Sequence, residues 1–323
     1  MENYSVNRAA VAMIRDAIER AEALSIRVAK SACGATLVDM GLECPGSWEA
    51  ARIFVEAGLG GLGRAAFGKF ALGARTLPSI EVWVDHPVLA TVASQAGDWK
   101  LGDGEFAPIG SGPARAIAHK DQWSTRANYT DRAEAVVIQL QTTRTPSDDV
   151  CRYVADACQV RPENVYVVYA PTGCIVGSVQ VASRTVEQVM VKLLVHEYDI
   201  HTVCYGWGVA PVAPIAPDEG EAMGRVNDCL IYGGTTMLYA DGDDGAIEAV
   251  VARLCFDVHA GDLWGLPFAR IFENFGRNWF QVPHLVDSPA HVLINNLRSG
   301  RTFVGGQINS AVLKQSLLGE AAA

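Results

Sequence analysis

Residues 135–169 read AVVIQLQTTRTPSDDVCRYVADACQVRPENVYVVY, and this stretch decides the fold class. Residues 135–140 and 165–169 are short apolar runs, the second rich in β-branched and aromatic side chains, which is typical of strands. Residues 148–158 between them predict a helix. A strand, a helix and a second strand in this order form a βαβ-like unit. The central region is therefore predicted to be α/β.

The length of the chain predicts more than one domain. A chain of 323 residues exceeds the usual size of a single hydrophobic core. We predict an α/β (α+β) fold class with two mixed α/β domains and a pocket between them. The first domain is predicted to be discontinuous, 1–90 plus about 218–323, and the second to be 91–217. Residues 209–217, VAPVAPIAP, have proline at every third position and are predicted to be a stiff connection that crosses between the domains.

Composition excludes several classes of function. The net charge of −10 and the lack of a Lys/Arg-rich run argue against a protein that binds nucleic acid and favour a small-molecule site. Every apolar stretch is broken by charge, proline or glycine before it could span a bilayer. The first 24 residues mix acids and bases, unlike a signal peptide. We therefore expect a cytoplasmic protein that has no contact with a membrane.

The cysteines and histidines show no spacing that is typical of a metal site. Eight cysteines occur without a CxxC pair, and no histidine pair has the HExxH spacing. We expect reduced cysteines, no metal and no disulfide framework. Cys174, in the loop before the helix described next, remains an alternative candidate for a nucleophile.

An arginine and a glutamate lie at unusual positions of the next predicted helix. At 100° per residue from position 183, two faces form, one apolar and one polar. The apolar face contains Val186, Val189, Met190, Leu193 and Leu194, and the polar face contains Thr185, Gln188, Lys192 and His196. Arg184 and Glu187 join neither face. Because they are three residues apart, their side chains meet. The pair is predicted to point inward as a functional pair; an ordinary exposed ion pair is the alternative.

Two other segments carry candidate binding residues. Residues 106–116, FAPIGSGPARA, form a glycine-rich stretch before a predicted helix. Its backbone amides at Gly110 and Gly112, the hydroxyl of Ser111 and the cation of Arg115 could hold phosphate or carboxylate, or the stretch is a plain turn and cap. Asp85 follows a predicted strand at 80–84 and either contacts a ligand or caps the helix that begins near Pro87.

Five segments together resemble one family, the methenyltetrahydromethanopterin cyclohydrolases. The matching pieces run in order from about residue 80 to residue 310, and with a weaker likeness before them the resemblance covers nearly the whole chain. They are VDHPVLATVASQ (84–95), IGSGPARA (109–116), YAPTGCIVGSVQVASRTVE (169–187), APIAPDEGEAMGRVNDCLIYGG (213–234) and INNLRSGRTFVGGQIN (294–309). The resemblance departs at Ala96, where some archaeal members carry lysine.

The resemblance implies a fold, a reaction and a site. The implied fold is two α/β domains with a large pocket between them, assembled as a homotrimer, with no metal or redox cofactor. The implied reaction is the reversible hydrolysis of N5,N10-methenyl-tetrahydromethanopterin to the N5-formyl compound, with the pterin as substrate. The arginine and glutamate of the family's R-x-x-E helix fall on Arg184 and Glu187.

The chemistry of that reaction suggests individual roles. Glu187 is the expected base for the attacking water, and Arg184 is expected to orient that water and to keep Glu187 ionised. The 110–115 loop is expected to hold the anionic tail of the substrate, and Asp85 or Gln180 to contact the pterin ring. Two alternatives stay open: a non-catalytic pterin-binding protein, and a Mg²⁺-dependent phosphate-ester enzyme built on the IGSGPAR loop.

Overall fold

The computed structural model describes residues 4–102, 108–278 and 281–320. The chain divides into two compact units, each with its own six-stranded sheet. Unit 1 comprises Met1–Arg64 and Val88–Gln180, and unit 2 comprises Ala65–Pro87 and Val181–Ala323.

The strands of the two sheets are numbered in chain order. They are β1 Arg27–Lys30, β2 Thr36–Asp39, β3 Gly63–Leu72, β4 Arg75–Val84, β5 Trp99–Lys100, β6 Ile109–Ser111, β7 Val136–Gln141, β8 Val165–Ala170, β9 Val203–Pro211, β10 Thr235–Ala240, β11 His291–Asn296 and β12 Thr302–Gly306. The sheet of unit 1 has the order β1-β2-β8-β7-β6-β5, and that of unit 2 the order β12-β11-β10-β9-β4-β3.

The helices alternate with these strands. They are α1 Val6–Glu19, α2 Ala21–Leu24, α3 Trp48–Gly58, α4 Arg115–Ala118, α5 Gln122–Arg126, α6 Asp148–Cys158, α7 Ile175–Ala182, α8 Thr185–Val195, α9 Glu219–Gly233, α10 Asp244–Val251, α11 Phe268–Asn274 and α12 Ser310–Leu318. Val88–Gln95 is a π-helix, and single 3₁₀ turns lie at Pro162–Asn164, Ile200–Thr202 and Val258–Leu263.

The βαβ unit predicted from residues 135–169 forms the centre of unit 1. Strands β7 and β8 are parallel neighbours, and α6 connects them over the predicted range. Ser147 caps α6 by accepting a hydrogen bond from the amide of Val150, and Gln159 ends it in the left-handed conformation. Nearly all residues of β2, β7 and β8 are buried, as expected for parallel strands that are covered on both faces. The α/β fold class is confirmed.

Unit 2 is built around the long strand β9. It pairs antiparallel with β4 on one side and with β10 on the other, and β10 pairs parallel with β11. Because β4 pairs with β9, residues 65–87 belong to unit 2, whereas the predicted boundaries placed them with 1–64. The parallel pairing of β2 with β8 likewise assigns residues 1–64 to unit 1.

The proline-rich segment 209–217 differs from its prediction. Its first three residues end strand β9, where Ala210 pairs with Ile80 and Pro211 pairs with Ser79. Residues 209–211 are extended as part of β9, and the whole segment lies within unit 2. The prediction that it crosses between domains was wrong, because the pairing of β9 with β4 decides its path.

Asp228, on α9, joins three helices. Its carboxylate accepts hydrogen bonds from the amide of Phe268, the first residue of α11, at 2.7 Å and from the hydroxyl of Ser316 on α12 at 2.5 Å. The residue is fully buried, and burial raises the pKa of its carboxyl to about 7. Sequence reasoning assigned Asp228 no individual role. In the structure, its carboxylate caps the start of α11 and connects α9 to α11 and α12 through hydrogen bonds.

This raised pKa predicts a pH dependence of stability. The folded chain keeps the proton of Asp228 between about pH 4 and pH 7, whereas the unfolded chain releases it, so the free energy of unfolding falls as pH rises through that window. The loss is on the order of 1.4 kcal/mol per pH unit. Urea denaturation at pH 4.5 and pH 7.5 should show this slope in the wild type and a smaller one in Asp228→Asn. Equal slopes would contradict the prediction.

The described part of the chain contains neither a membrane-spanning helix nor a metal-binding cluster. In residues 4–102, 108–278 and 281–320, no helix is long and apolar enough to cross a membrane. Over the same ranges, no group of three or more His, Cys, Asp and Glu side chains is arranged to hold a metal ion.

Candidate active site

The arginine of the R-x-x-E motif lies at a break between two helices. Helix α7 ends at Ala182 and α8 begins at Thr185, so Arg184 is the N-cap residue of α8. Its carbonyl accepts the first hydrogen bond of α8, from the amide of Gln188 at 2.8 Å. Glu187 therefore occupies the first turn of α8, where the helix dipole favours an acidic side chain. The two charged groups meet at the start of a helix and not in the middle of one.

Arg184 and Glu187 contact each other, as their spacing predicts. The distance from Nη1 of Arg184 to Oε2 of Glu187 is 3.4 Å. The side chains are 18% and 9% exposed, respectively, so each is largely buried yet keeps a solvent-facing edge. A pair of this kind can contact a ligand while most of its surface is shielded from water, which strengthens its electrostatic effect on that ligand.

The burial of the rest of α8 differs from the expected division into a buried apolar face and a solvated polar face. The predicted polar face is buried as well: Thr185, Gln188 and Lys192 are only 1%, 4% and 3% exposed. Among the charged side chains on this helix, Lys192 is thus more deeply buried than Glu187. Helix α8 packs against β9 and β10 on one side and is covered by later parts of unit 2 on another.

Segment 281–288 covers the polar side of α8. Gln188 donates from Nε2 to Oδ1 of Asp287 at 2.6 Å, and Lys192 donates from Nζ to the carbonyl oxygen of His284. No local sequence signal indicates these contacts, because the partners lie about one hundred residues further along the chain. They satisfy polar groups that would otherwise be buried without partners.

The glycine-rich stretch has a structural role. Residues 106 and 107 lie outside the described residues. Gly110 and Ser111 belong to β6, between β5 and β7, and the hydroxyl of Ser111 donates to the carbonyl oxygen of Gln95 at 2.5 Å. The amide of Gly112, at φ +96°, donates to the carbonyl oxygen of Ser94. The groups expected to hold an anion are thus occupied by contacts within unit 1.

Arg115 is also a structural residue. It is fully buried, and its guanidinium forms a bidentate pair with Asp121, at 3.1 Å and 2.6 Å. Its Nη1 donates to the carbonyl oxygens of Val92 and Ser94. Helix α4, which starts at Arg115, has only four residues. The expected contact of Arg115 with a substrate tail conflicts with this geometry, because the guanidinium is fully buried and is held by these contacts within unit 1.

Asp85 and Gln180, the two other predicted binding residues, differ in their exposure to solvent. Asp85 follows β4 in unit 2 and is exposed, and within the described residues no capping hydrogen bond joins it to the π-helix that follows. Gln180 lies near the end of α7 and is 5% exposed. Ala96 is fully buried just after the π-helix.

Gln180 is held by a chain of side-chain amides in unit 1. Its Nε2 donates to Oε1 of Gln141 at 2.8 Å, and Nε2 of Gln141 donates to the hydroxyl of Thr172. Gln141 ends β7 and Thr172 follows β8. Because the carboxyl ends of neighbouring parallel strands are a common place for ligands, these two residues were identifiable from the predicted βαβ unit, but sequence reasoning missed them.

Cys174 does not have the surroundings of a reactive thiol. Its sulfur donates to the carbonyl oxygen of Pro171 at 3.2 Å and accepts from the amide of Gly177 at 3.3 Å, in the first turn of α7. The residue is 8% exposed. We interpret Cys174 as a cap for α7 and not as a nucleophile.

Comparison with known proteins now decides the family. The chain matches the family described as Cyclohydrolase (MCH) over residues 5–317. The chain belongs to this cyclohydrolase family. The resemblance drawn from the sequence motifs is thereby confirmed.

Curated relatives from archaea support the same assignment. The methenyltetrahydromethanopterin cyclohydrolase of Methanocaldococcus jannaschii is 36% identical over 320 residues, which cover 97% of this chain and 98% of that protein. Proteins of the same name from Methanothermobacter marburgensis and Methanococcoides burtonii are 35% identical over 322 residues and 34% identical over 314, with the same coverage. The similarity to these cyclohydrolases therefore extends over both units.

The hydrogen bonds that link the side chains of Gln180, Gln141 and Thr172 predict a positioning role for Gln141. If Gln180 contacts the pterin ring, Gln141→Leu should remove the hydrogen bond that Gln180 donates to Gln141 and raise KM about tenfold, the cost of one lost hydrogen bond, with a smaller change in kcat. Gln315→Leu, an exposed change on α12, is the matched control and should leave KM unaltered. Steady-state kinetics on both variants checks this; a change in kcat alone would contradict it.

Proposed function

We propose that this protein catalyses the reversible hydrolysis of N5,N10-methenyl-tetrahydromethanopterin to N5-formyl-tetrahydromethanopterin. Membership of the cyclohydrolase family and the names of the relatives support the reaction. The observation that carries the mechanism is the contact between Arg184 and Glu187, since it pairs a carboxylate and a guanidinium at a partly exposed helix start.

The first step adds water to the substrate. The methenyl carbon lies between two nitrogens in an amidinium-like cation and is therefore electrophilic. A water held at that carbon forms the new C–O bond while its proton passes to Oε of Glu187. The substrate thereby loses its positive charge and Glu187 its negative charge. Arg184 orients the water and the carboxylate, and its own charge stays fixed throughout the step.

The second step opens the ring. Glu187, now protonated, donates its proton to N10 as the bond between the former methenyl carbon and N10 breaks, so that the carbon stays on N5. The hydroxyl of the adduct then loses its proton and becomes the formyl oxygen. In sum, one water is consumed and one proton is released to solvent. The same groups operate in the reverse direction, so the direction in the cell follows from concentrations.

The ultraviolet absorbance of the methenyl substrate tests this proposal. In buffer that contains EDTA, the purified protein should accelerate the loss of the methenyl band when the reaction starts from the methenyl compound and its appearance when the reaction starts from the formyl compound. Binding of the substrate without any acceleration would refute the catalytic proposal and identify a pterin-binding protein. Activity that requires added Mg²⁺ would refute the metal-independent mechanism.

The proposal includes the remaining expectations from the resemblance. Asp85 or Gln180 is proposed to contact the pterin ring, and the buried Gly110, Ser111, Gly112 and Arg115 are not carried forward as ligand contacts. The active form is proposed to be a cytoplasmic homotrimer without a metal or redox cofactor. Analytical ultracentrifugation at micromolar concentration tests the trimer, and a monomer of full activity would contradict it.

A further inference from the structure

A cavity with a largely apolar lining and several charged residues lies in unit 2, at the C-terminal half of α8. Its volume is about 370 Å³. The wall includes Lys192 from α8 and His196 directly after this helix, together with His284 and Leu285. The chain after α10 contributes Arg253, Asp257 and His259 to the same wall. The proposed reaction at Arg184 and Glu187 uses none of these side chains.

Lys192 brings a buried positive charge to this wall. It is 3% exposed, and its Nζ donates to the carbonyl oxygen of His284. Within the described residues, no carboxylate lies at ion-pair distance from it, and the acid that acts on it from further away, Asp287, already accepts a hydrogen bond from Gln188. A buried ammonium without an anionic partner is costly, because a carbonyl oxygen replaces only part of its lost hydration.

Within the described residues, no other charged group that lines the cavity forms an ion pair with Lys192. The acid in the wall, Asp257, accepts hydrogen bonds from the backbone amide of His259 at 2.9 Å and from Nδ1 of its ring at 2.8 Å. Arg253 is exposed at the rim, and no ion pair joins it to the described residues. Burial lowers the pKa of His196, and the nearby charges of Arg253 and, to a smaller degree, Lys192 lower it further. Cys255 lines the same cavity, and burial raises the pKa of its thiol to about 12, so it adds no negative charge at neutral pH.

We propose that this cavity binds a small oxyanion of the size of inorganic phosphate, with Lys192 and Arg253 as its cations. A phosphate or carboxylate group would give the Lys192 ammonium an anionic partner and oxygens that accept its hydrogen bonds. The cavity volume is sufficient for such a group together with ordered water. This site is independent of the proposed reaction, since it depends only on the cavity and its charges.

Calorimetric titration of the intact protein with inorganic phosphate tests the proposal. The buffer is held at pH 7 and constant ionic strength with sodium chloride, and sulfate serves as a second probe. The wild type should bind phosphate saturably, and Lys192→Met should bind it at least tenfold more weakly. Lys314→Met, which removes one lysine charge from α12 in the same unit, is the matched control and should bind like the wild type.

The titrations distinguish a wrong phosphate-site proposal from a variant that does not fold and from a wrong proposed function. Methionine is similar in size to lysine and apolar, so the buried site should tolerate it. If Lys192→Met does not fold, Arg253→Gln at the exposed rim should weaken phosphate binding in the same direction. No saturable binding by the wild type, or equal affinity in all variants, would overturn the proposal. Neither result depends on cyclohydrolase activity, which the methenyl absorbance measures separately.

Discussion

Glu187→Gln is expected to lower the turnover of the methenyl substrate by about 10²–10⁴-fold, the usual range for a lost general acid–base group. Glutamine has nearly the same shape and still offers an amide oxygen to Nη1 of Arg184, which lies 3.4 Å from the carboxylate in the wild type. It cannot take a proton from the attacking water or return one to the leaving nitrogen. The loss should therefore appear in kcat, with a smaller change in KM.

A matched control separates this chemical effect from a loss of structure. Glu248→Gln makes the same change on the exposed surface of α10, in the same unit. It should retain wild-type turnover. Circular dichroism and the thermal midpoint of Glu187→Gln should match those of the wild type. A folded Glu187→Gln with turnover within a factor of two of the wild type would disprove the assigned role of Glu187.

Gly208→Ala is expected to destabilise unit 2 by about 2–3 kcal/mol, at the upper end for an overpacked core site. Gly208 lies in β9 beneath the start of α8. A Cβ at this position would lie 2.0 Å from Oγ1 of Thr185 and 3.1 Å from Cγ2 of Val186. Thr185 directly follows Arg184, so relief of the clash must shift the start of α8, where Arg184 and Glu187 meet. Turnover should therefore fall together with stability.

A second substitution should reverse this defect if the clash is its cause. Within the described residues, Oγ1 of Thr185 is buried and has no hydrogen-bond partner, so its removal should cost little. Thr185→Ala combined with Gly208→Ala should therefore recover most of the lost stability, as urea denaturation can measure. Gly220→Ala, on the exposed first turn of α9, is the control and should be neutral or slightly stabilising. Additive losses in the double variant would refute the explanation.

The contrast between α6 and α8 shows where sequence reasoning succeeded. Helix α6 has one buried and one solvated face, and its predicted range, 148–158, is the observed one. Helix α8 has the same kind of alternating pattern, but its polar residues Gln188 and Lys192 are covered by segment 281–288. A polar side chain facing water and one facing a distant polar partner look alike in the sequence. Periodicity therefore predicts a helix but not what covers its polar face.

The candidate site shows the same division. Arg184 and Glu187 were predicted to meet because their spacing of three residues is local, and the structure places them in contact. The glycine-rich stretch suggested an anion site from its composition. Its neighbours in space, Ser94, Gln95 and Asp121, already occupy the polar groups of that stretch. Glycine tolerates close approach of any neighbour, so its presence does not distinguish a ligand from another part of the chain.

The sequence by itself determined the α/β class, the βαβ unit of residues 135–169, the cyclohydrolase family and the Arg184–Glu187 pair. Each of these depends on side-chain periodicity or on residues close together in the chain. Only the tertiary structure decided that β4 pairs with β9, that Arg115 forms a buried ion pair with Asp121, and that Lys192 is a buried cation beside a cavity. These features depend on pairings between distant segments, which form because strands and buried charges must find partners wherever the folded chain brings them together.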